Sequence, residues 1–403
     1  MTLSRPSQHT HRVSLPDSRV AHAPDRLLSP PFVALLLVNA VFSFGLSTFF
    51  LLPKYMAQQL HVGATEIGAV TTAFGLAMLI SVPWIGRLLD GSRNRAVVVA
   101  SCAILSVAAL GFVWVDSFGP ALVVLRCLQG VALAMFSNAG GLIVSELAPK
   151  GRLAQALGLF AGTGMVMTAV APAFVEWLTE RASYRPAFAL ASVAAALAAL
   201  LAMRLHPGSG AHAVRSSMRS VLFRASSLRM VAVLASAGIG FGVMFAFSQP
   251  FALELGMKNV RGFFLAFAAA AVFVRLTLGG TVDRVGPRRV ATGALIAYGA
   301  VVAGMYVLQQ GRLELLGGLF GLAHGLFIPA FNAFIVEGSL PHERGKLITL
   351  FNGAFNLGNC TVVVLGVLAE RVGYPMVFAL TGALIVAAPL LMIGWPETRG
   401  EPS

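Results

Sequence analysis

The chain has 403 residues, of which 57% are hydrophobic and 11% are charged, and its mean hydropathy is +0.81. A soluble domain carries about 25% charged residues, so this composition excludes a soluble globular protein and indicates an integral membrane protein. The formal net charge of +13 does not point to a nucleic-acid partner, because the basic residues follow the predicted membrane topology.

The predicted elements begin with a polar segment, residues 1–31, which we interpret as a disordered cytoplasmic tail without the apolar core of a signal peptide. Twelve apolar stretches follow, each long enough for a membrane-spanning helix and without the alternation of a barrel strand. The predicted fold class is therefore an all-α membrane protein with twelve transmembrane helices. These spans 1 to 12 centre near residues 42, 75, 105, 131, 164, 195, 241, 271, 300, 325, 358 and 385.

The Lys and Arg residues are distributed unevenly between the two sides of the predicted helices. Of the 29 basic residues, 20 fall on the side of the termini, seven on the opposite side, and Arg126 and Arg275 within spans. This bias matches the positive-inside rule, which predicts that both termini are cytoplasmic.

The two halves of the chain repeat each other. Asp90 after span 2 matches Asp283 after span 8 at an offset of 193 residues, and Tyr184 matches Tyr374 in the related segments ERASYRPAFAL and ERVGYPMVFAL. We therefore predict two pseudo-symmetric six-helix halves. The predicted segments are an N-terminal half over 32–205, a cytoplasmic linker over 206–228, a C-terminal half over 229–396 and a cytoplasmic tail over 397–403. The linker pattern fits either a short interfacial helix or a solvated connection.

Three motifs accompany this repeat. The loop GRLLDGSRNR after span 2 holds Gly86, Leu88, Asp90 and Arg95; span 4 carries RCLQG over 126–130. The second copy of the loop holds Gly279, Asp283, Arg284, Gly286 and Arg288. Together with the topology, these elements resemble the major facilitator superfamily. The resemblance implies a secondary active transporter that works by alternating access. We expect no cofactors, and we expect a functional monomer because the substrate cavity would lie within one chain.

The stretch FFLAFAAAAVFVRLTLGGTVDRVG around span 8 resembles the drug and sugar efflux branch of that family. This resemblance implies proton-coupled efflux of a small polar or amphipathic organic molecule across a bacterial cytoplasmic (inner) membrane. In span 5, however, Met167 and Ala171 stand where antiporters have glycines. An uptake symporter or facilitator for sugars or organic anions therefore remains an alternative, as does a transport-dead sensor or scaffold. The motifs of intramembrane enzymes and metal sites are missing from the sequence, so we do not expect an enzyme.

Charged residues at the loops after spans 2 and 8 are the predicted gate. Asp90 and Asp283 are placed to meet backbone N–H groups at helix ends. The alternative is that the arginines only set topology. The predicted partners are Arg93 or Arg95 for Glu146, and Arg284 or Arg288 for Glu337.

Polar residues within the spans are the predicted lining of a substrate cavity. Arg126 lies roughly 12 Å inside span 4, and a charge at that depth predicts a functional site. Asn352, Asn356 and Asn359 share one helical face of span 11, although asparagines also join helices by hydrogen bonds. The other predicted lining residues are Asn39, Ser43, Gln129, Asn138, His324 and Asn332. His324 is either a proton carrier or a buried neutral histidine; no carboxylate lies at mid-span to carry the proton instead.

Overall fold

The computed structural model describes residues 27–89, 93–149, 151–205, 224–277, 282, 284–337, 339 and 343–393. Regular structure within these ranges is entirely helical. The α-helices are α1 (Pro30–Ser47), α2 (Leu52–Gln59), α3 (Ala64–Leu89), α4 (Asn94–Gly111), α5 (Pro120–Leu147), α6 (Leu153–Thr179), α7 (Tyr184–Ala202), α8 (Ala225–Glu254), α9 (Arg261–Thr277), α10 (Pro287–Gly304), α11 (Leu313–Glu337), α12 (Arg344–Asn359) and α13 (Val362–Ala387).

The helices account for the twelve predicted spans. The first membrane crossing consists of α1 and α2, which a 3₁₀ turn connects. The helix α9, with 17 described residues, forms a further crossing. In the described ranges, ten segments are long and apolar enough to cross a membrane, and one of these, residues 346–392, contains two crossings. Gly373 separates them with φ 82° and ψ 157°, a left-handed conformation that favours glycine. The predicted twelve-helix class is confirmed.

Close helix contacts repeat in the two halves. In the first half, a methyl group added at Gly130 of α5 would overlap the carbonyl group of Phe74 on α3. In the second half, one added at Gly325 of α11 would lie 2.9 Å from the Cα atom of Ala271 on α9. Small residues let membrane helices approach closely, so the same packing device joins spans 2 and 4 and spans 8 and 10.

The largest contacts between the halves are those of α3 with α13 and α12 and of α6 with α9; α2 and α3 also contact α8. We call the side of the bundle where α1 begins the terminal side and the opposite side the distal side. Six of the seven buried residues of α3 lie in its distal half, from Ala64 to Gly75, whereas Ile80 and Trp84 nearer the terminal side are exposed. In α6, Val175 is buried and Leu159 is exposed. The halves are therefore in contact on the distal side and separated on the terminal side.

Span 11 is interrupted between α12 and α13, and a residue of the opposite half bonds the backbone groups at the interruption. The Thr72 hydroxyl on α3 donates to the carbonyl of Cys360 at 2.9 Å and accepts from the N–H of Val363 at 3.1 Å. Backbone groups freed inside a membrane protein need such partners. This threonine therefore joins the halves at the break.

Candidate functional site

A cavity of about 260 Å³ lies between the halves, lined from α1–α3 and α5 on one side and α8 and α12 on the other. Most of the lining is apolar, so the cavity suits the body of an organic molecule. Its aromatic residues are Phe49, Phe50, Phe74, Phe241, Phe245 and Phe355, and its polar ones are Thr71, Arg126, Asn356 and Asn359. Three of the predicted lining residues, Arg126, Asn356 and Asn359, are thus brought together here.

Arg126 reaches this cavity from α5. Its Nη1 donates to Oε1 of Gln129 at 2.6 Å, and its guanidinium lies 4.5 Å from the centre of the Phe74 ring. Gln129 is fully buried and does not line the cavity itself. The residues of the RCLQG segment therefore have different roles. Arg126 faces the cavity, Gln129 accepts a hydrogen bond that positions Arg126, and Gly130 permits the close helix contact with α3.

The asparagines of α12 are only partly in the cavity. Asn356 donates from its side chain to the carbonyl of Asn352 at 2.9 Å, within its own helix. Asn352 itself is exposed, closer to the terminal end of α12, and is not among the lining residues. The predicted stripe therefore contributes its two distal members, Asn356 and Asn359, to the cavity.

Asn39 and Ser43 lie at the contact between α1 and α6, outside the cavity. The Asn39 amide donates to the carbonyl of Phe160 at 2.7 Å, and Ser43 donates to the Asn39 Oδ1 atom at 3.4 Å. The first bond joins two helices of the same half, which is the structural role that asparagine commonly fills in membrane bundles, and the second lies within α1. Asn138 is exposed and donates to the carbonyl of Ala134 in its own helix.

His324 is buried one layer behind the cavity wall. Its ring lies 5.2 Å from Phe241 and 6.0 Å from Phe355, and both phenylalanines line the cavity. Its Nδ1 atom is buried and has no hydrogen-bond partner within the part of the chain that the structure describes. Asn332, further along the same helix, is half-buried and does not line the cavity either.

Polar contacts close the distal side, and we call them the distal clasp: Lys54, Glu176, Glu180, Val260, Arg261, Thr65 and Glu370. At its centre, Lys54 of α2 forms a buried ion pair with Glu176 of α6. The Glu176 carboxylate also accepts the N–H of Val260 at 2.8 and 3.0 Å, just before α9 begins. Negative charge is favourable at a helix N-terminus, so Glu176 ties the first half to the second.

The clasp has a related contact on the other side of the bundle. Glu370 of α13 accepts the N–H of Thr65 at the start of α3 at 2.9 Å, so a carboxylate again holds the first turn of a helix in the opposite half. Arg261 adds an ion pair with Glu180 at 3.1 Å. The distal clasp thus follows the repeat: span 5 holds span 8, and span 11 holds span 2.

The predicted gate residues Arg95 and Arg288 contact the ends of helices within their own halves. Arg95 donates to the carbonyl of Leu205 at 3.3 Å, and Arg288 donates to the carbonyl of Met392 at 2.6 Å. Each arginine stands at the start of the third span of its half and meets the end of the sixth span. Cations are favourable at helix C-termini, so these contacts join helices of one half.

The remaining gate residues lie near the terminal side. Glu146 accepts from the side chain of Asn94 at 3.2 Å, and within the described ranges it forms no ion pair with Arg93 or Arg95. Arg93 is exposed, as are Arg284 and Glu337. Asp90 and Asp283 lie outside the described residues, as do most of the predicted linker and both tails.

An ion pair on the terminal side joins the exposed Arg224 to the buried Glu343. Arg224 binds both carboxylate oxygens of Glu343 at 2.8 Å. These hydrogen bonds, and then the negative charge, raise the pKa of the Arg224 guanidinium. Both residues belong to the second half, at the starts of α8 and α12.

The clasp residues were missed because each one, taken alone, resembles an ordinary polar residue at a helix end. One signal was available: Glu176 stands in the apolar run PAFVEWLT, where a carboxylate needs a partner. Among the described residues, no group of three or more His, Cys, Asp or Glu is placed to hold a metal ion.

Comparison with known proteins agrees with this geometry. The family profile described as Major Facilitator Superfamily matches residues 33–361 and 266–403. Multidrug resistance protein 2 of Bacillus subtilis (strain 168) is 22% identical over 394 residues, covering 93% of this chain and 95% of that protein. Multidrug resistance protein MdtG of Salmonella arizonae is 23% identical over 383 residues, covering 90% and 93%.

Solved structures share the fold. The nucleoside transporter NupG has a TM-score of 0.72 at 16% identity, covering 90% of this chain and 98% of that one. The human organic anion transporter MFSD10 (TETRAN) has a TM-score of 0.67 at 14% identity, covering 90% and 100%.

Proposed function

The chain belongs to the major facilitator superfamily and is a multi-pass membrane transporter, and on that premise we propose that it exports small amphipathic organic molecules in exchange for protons. The observation that carries the proposal is the cavity between the halves, apolar apart from a few polar groups, beneath contacts that close the distal side. A substrate held between two rigid halves can be released to either side when the halves rock.

The described conformation supports alternating access with the distal side closed. We place the terminal side in the cytoplasm, following the basic-residue bias, so this state receives substrate from inside the cell. Opening outward requires the distal clasp to break and the terminal side to close. The loops with Asp90 and Asp283, outside the described residues, remain our proposed contacts for that second closure. The cavity lies within one chain, which supports function as a monomer.

Two observations bear on the direction of transport. Relatives that align over nearly the whole chain carry the name multidrug resistance protein, which supports efflux. The changed glycine pattern of span 5, at Met167 and Ala171, keeps uptake as the second candidate function.

We propose Glu176 as the proton-coupling residue. Glu176 is one of two buried carboxylates among the described residues, with Glu343, and it joins the two halves through the N–H of Val260. Lys54 pairs with it from α2 and Tyr184 of α7 lies near its charge. Arg261 of α9 pairs with Glu180, which directly follows the end of α6. A proton on Glu176 would remove the negative charge that holds both Lys54 and the start of α9, so protonation and distal opening favour each other.

The experiment is flux through proteoliposomes of the full-length protein, with three radiolabelled probes that share a naphthyl body: naphthalenesulfonate, trimethylnaphthylammonium and naphthamide. For molecules inserted with the terminal side outward, an acidic lumen should drive accumulation of at least one probe, and nigericin should abolish it. E176Q should keep exchange of the probe without a pH gradient but lose its response to the gradient. Flux that ignores the gradient would refute antiport, and accumulation driven by an alkaline lumen would identify a symporter.

A further inference from the structure

Among the described residues, one charged side chain lines the central cavity. It is Arg126, and the other polar lining residues of this part of the chain are Thr71, Asn356 and Asn359. A guanidinium is always protonated in proteins, so this cavity carries a permanent positive charge. Six phenylalanines make up much of the remaining wall, and an apolar wall gives little screening of that charge.

No carboxylate balances Arg126 in the described structure. Its polar partner is the neutral amide of Gln129, and its other close neighbour is the face of the Phe74 ring. The two buried carboxylates are already engaged elsewhere, Glu176 with Lys54 and Glu343 with Arg224. An uncompensated charge in a low-dielectric site is costly, and an anion from outside the chain would relieve that cost.

The donors beside Arg126 are also incomplete. Its Nε atom is buried and lacks a hydrogen-bond partner in the described part of the chain, and so does the Nε2 atom of Gln129. Gln129 is fully buried, and its Oε1 atom is occupied by Arg126. Arg126 is thus only partly satisfied within the described chain, and Gln129, which does not line the cavity, positions it. An oxygen of a carboxylate, sulfonate or phosphate group in the cavity would accept a charge-assisted hydrogen bond from the guanidinium.

We propose that the substrate is an amphipathic organic anion, whose acidic group binds Arg126 and whose apolar body packs among the phenylalanines. The proposal rests on the transport function proposed above and names its substrate class. The amides of Asn356 and Asn359 stand across the cavity on the second half. An anion held by Arg126 from the first half can therefore contact both halves at once, as a molecule carried between them must.

The geometry disfavours other substrate classes. An organic cation would enter an apolar chamber beside a fixed guanidinium, without a carboxylate lining residue to offset the repulsion. A neutral molecule would fill the chamber but leave the guanidinium charge without a counter-charge. Of the three classes, an anion is the one that neutralises this charge.

The test is equilibrium binding of the same three naphthyl probes to the full-length protein in lipid nanodiscs. Their apolar bodies match, so differences in affinity report the recognition of charge. Naphthalenesulfonate should bind about tenfold or more tightly than trimethylnaphthylammonium and naphthamide, as expected for charge-assisted hydrogen bonds.

Two variants locate the effect. R126M removes the charge at similar length and should weaken naphthalenesulfonate about tenfold or more while naphthamide binding is unchanged, which shows that the cavity is intact. R126K keeps the charge but loses the planar guanidinium group. Its affinity for naphthalenesulfonate should therefore lie between those of the wild type and R126M.

The proposal is overturned by equal or tighter binding of the ammonium probe, by unchanged sulfonate binding to R126M, or by failure of all three probes to bind. Binding at equilibrium does not require transport. Sulfonate-selective binding without flux in proteoliposomes would therefore refute the transport proposal and support the anion site. Flux without sulfonate selectivity would support transport and refute the anion site.

Discussion

Lys54 and Glu176, from the first and fifth spans, form an ion pair in which the two side chains are only 5% and 1% exposed. The pair reaches into the other half of the bundle, because Lys54 also donates to the carbonyl of Lys258 at 2.9 Å and Glu176 accepts the N–H of Val260. Separation of the halves on the distal side must break both contacts with the second half. The pair therefore belongs to one conformation of the transporter.

Glu176→Gln should shift the protein towards a distal-open conformation. The amide leaves the Lys54 ammonium buried without its counter-charge, and breaking a buried pair costs about 3–5 kcal/mol. This cost falls on the closed state, because opening returns Lys54 to water. Pulsed electron paramagnetic resonance between spin labels at Ser117 and Arg312, exposed positions on distal loops of the two halves, should show a larger population of long distances.

The matched control is Glu180→Gln, at the residue that directly follows α6. Its pair with Arg261 has side chains 37% and 38% exposed, and exposed pairs contribute at most about 1 kcal/mol. The label distances should therefore barely change. The double variant Lys54→Met, Glu176→Leu should return largely to the closed distribution, because apolar replacement of a buried pair is often neutral. An unchanged distribution in E176Q would show that the pair does not hold the halves together.

Thr72→Val should lower the melting temperature of the detergent-solubilised protein. Valine keeps the shape of threonine but removes the hydroxyl that bonds both Cys360 and Val363 at the break in span 11. Leaving these backbone groups unpaired costs about 1–3 kcal/mol each. Thr71→Val is the control, because that hydroxyl bonds the Ile67 carbonyl in its own helix. Equal melting temperatures for the two variants would contradict this role of Thr72.

Gly130→Ala should destabilise the first half. The new methyl group would overlap the Phe74 carbonyl, and overpacking of this kind costs about 1–3 kcal/mol. Gly141→Ala in the same helix meets nothing within 4 Å and should be neutral or stabilising, since alanine favours helix over glycine. The measurement is the fraction of each variant that remains in its size-exclusion peak after heating. Equal fractions for the two variants would disprove the packing role of Gly130.

Arg95→Met and Arg288→Met should each reduce thermal stability while leaving the balance between the two conformations unchanged. Each arginine bonds a carbonyl at the end of the sixth span in its own half, and a hydrogen bond to a charged group contributes about 1.5–3 kcal/mol when well formed. Arg93→Met, at an exposed position, is the control for the lost charge. A change in the label distances between the halves would instead support a gating role for Arg95 or Arg288.

The fold was predictable because the membrane imposes simple rules. Apolar length gives the spans, and the repeat around Tyr184 and Tyr374 gives the two halves; both tyrosines are buried in equivalent places. The break of span 11 at Cys360 was not predictable, since its freed backbone groups are satisfied by Thr72, which lies 288 residues away. A partner so distant in sequence leaves no local pattern.

The site was predictable where a residue type is unusual in lipid. Arg126, alone and charged deep in span 4, is in the cavity, and two of the three asparagines of span 11 join it. Asn39 is equally polar but is used to join α1 and α6. Spacing assigns a residue to a helical face, but only the packing of whole helices decides whether that face meets a cavity or a neighbour.

The single charge of the cavity has an electrical consequence. An empty transporter carries the charge of Arg126 in its cavity, whereas one loaded with a monovalent anion carries none. Moving one elementary charge across a potential of 100 mV changes its energy by about 2.3 kcal/mol. The membrane potential therefore acts mainly on the empty state. In a cell whose interior is negative, that force draws the positive site back towards the cytoplasm. The membrane potential would thus favour the return of the empty site to the cytoplasmic side after each release, and so favour net export of the anion.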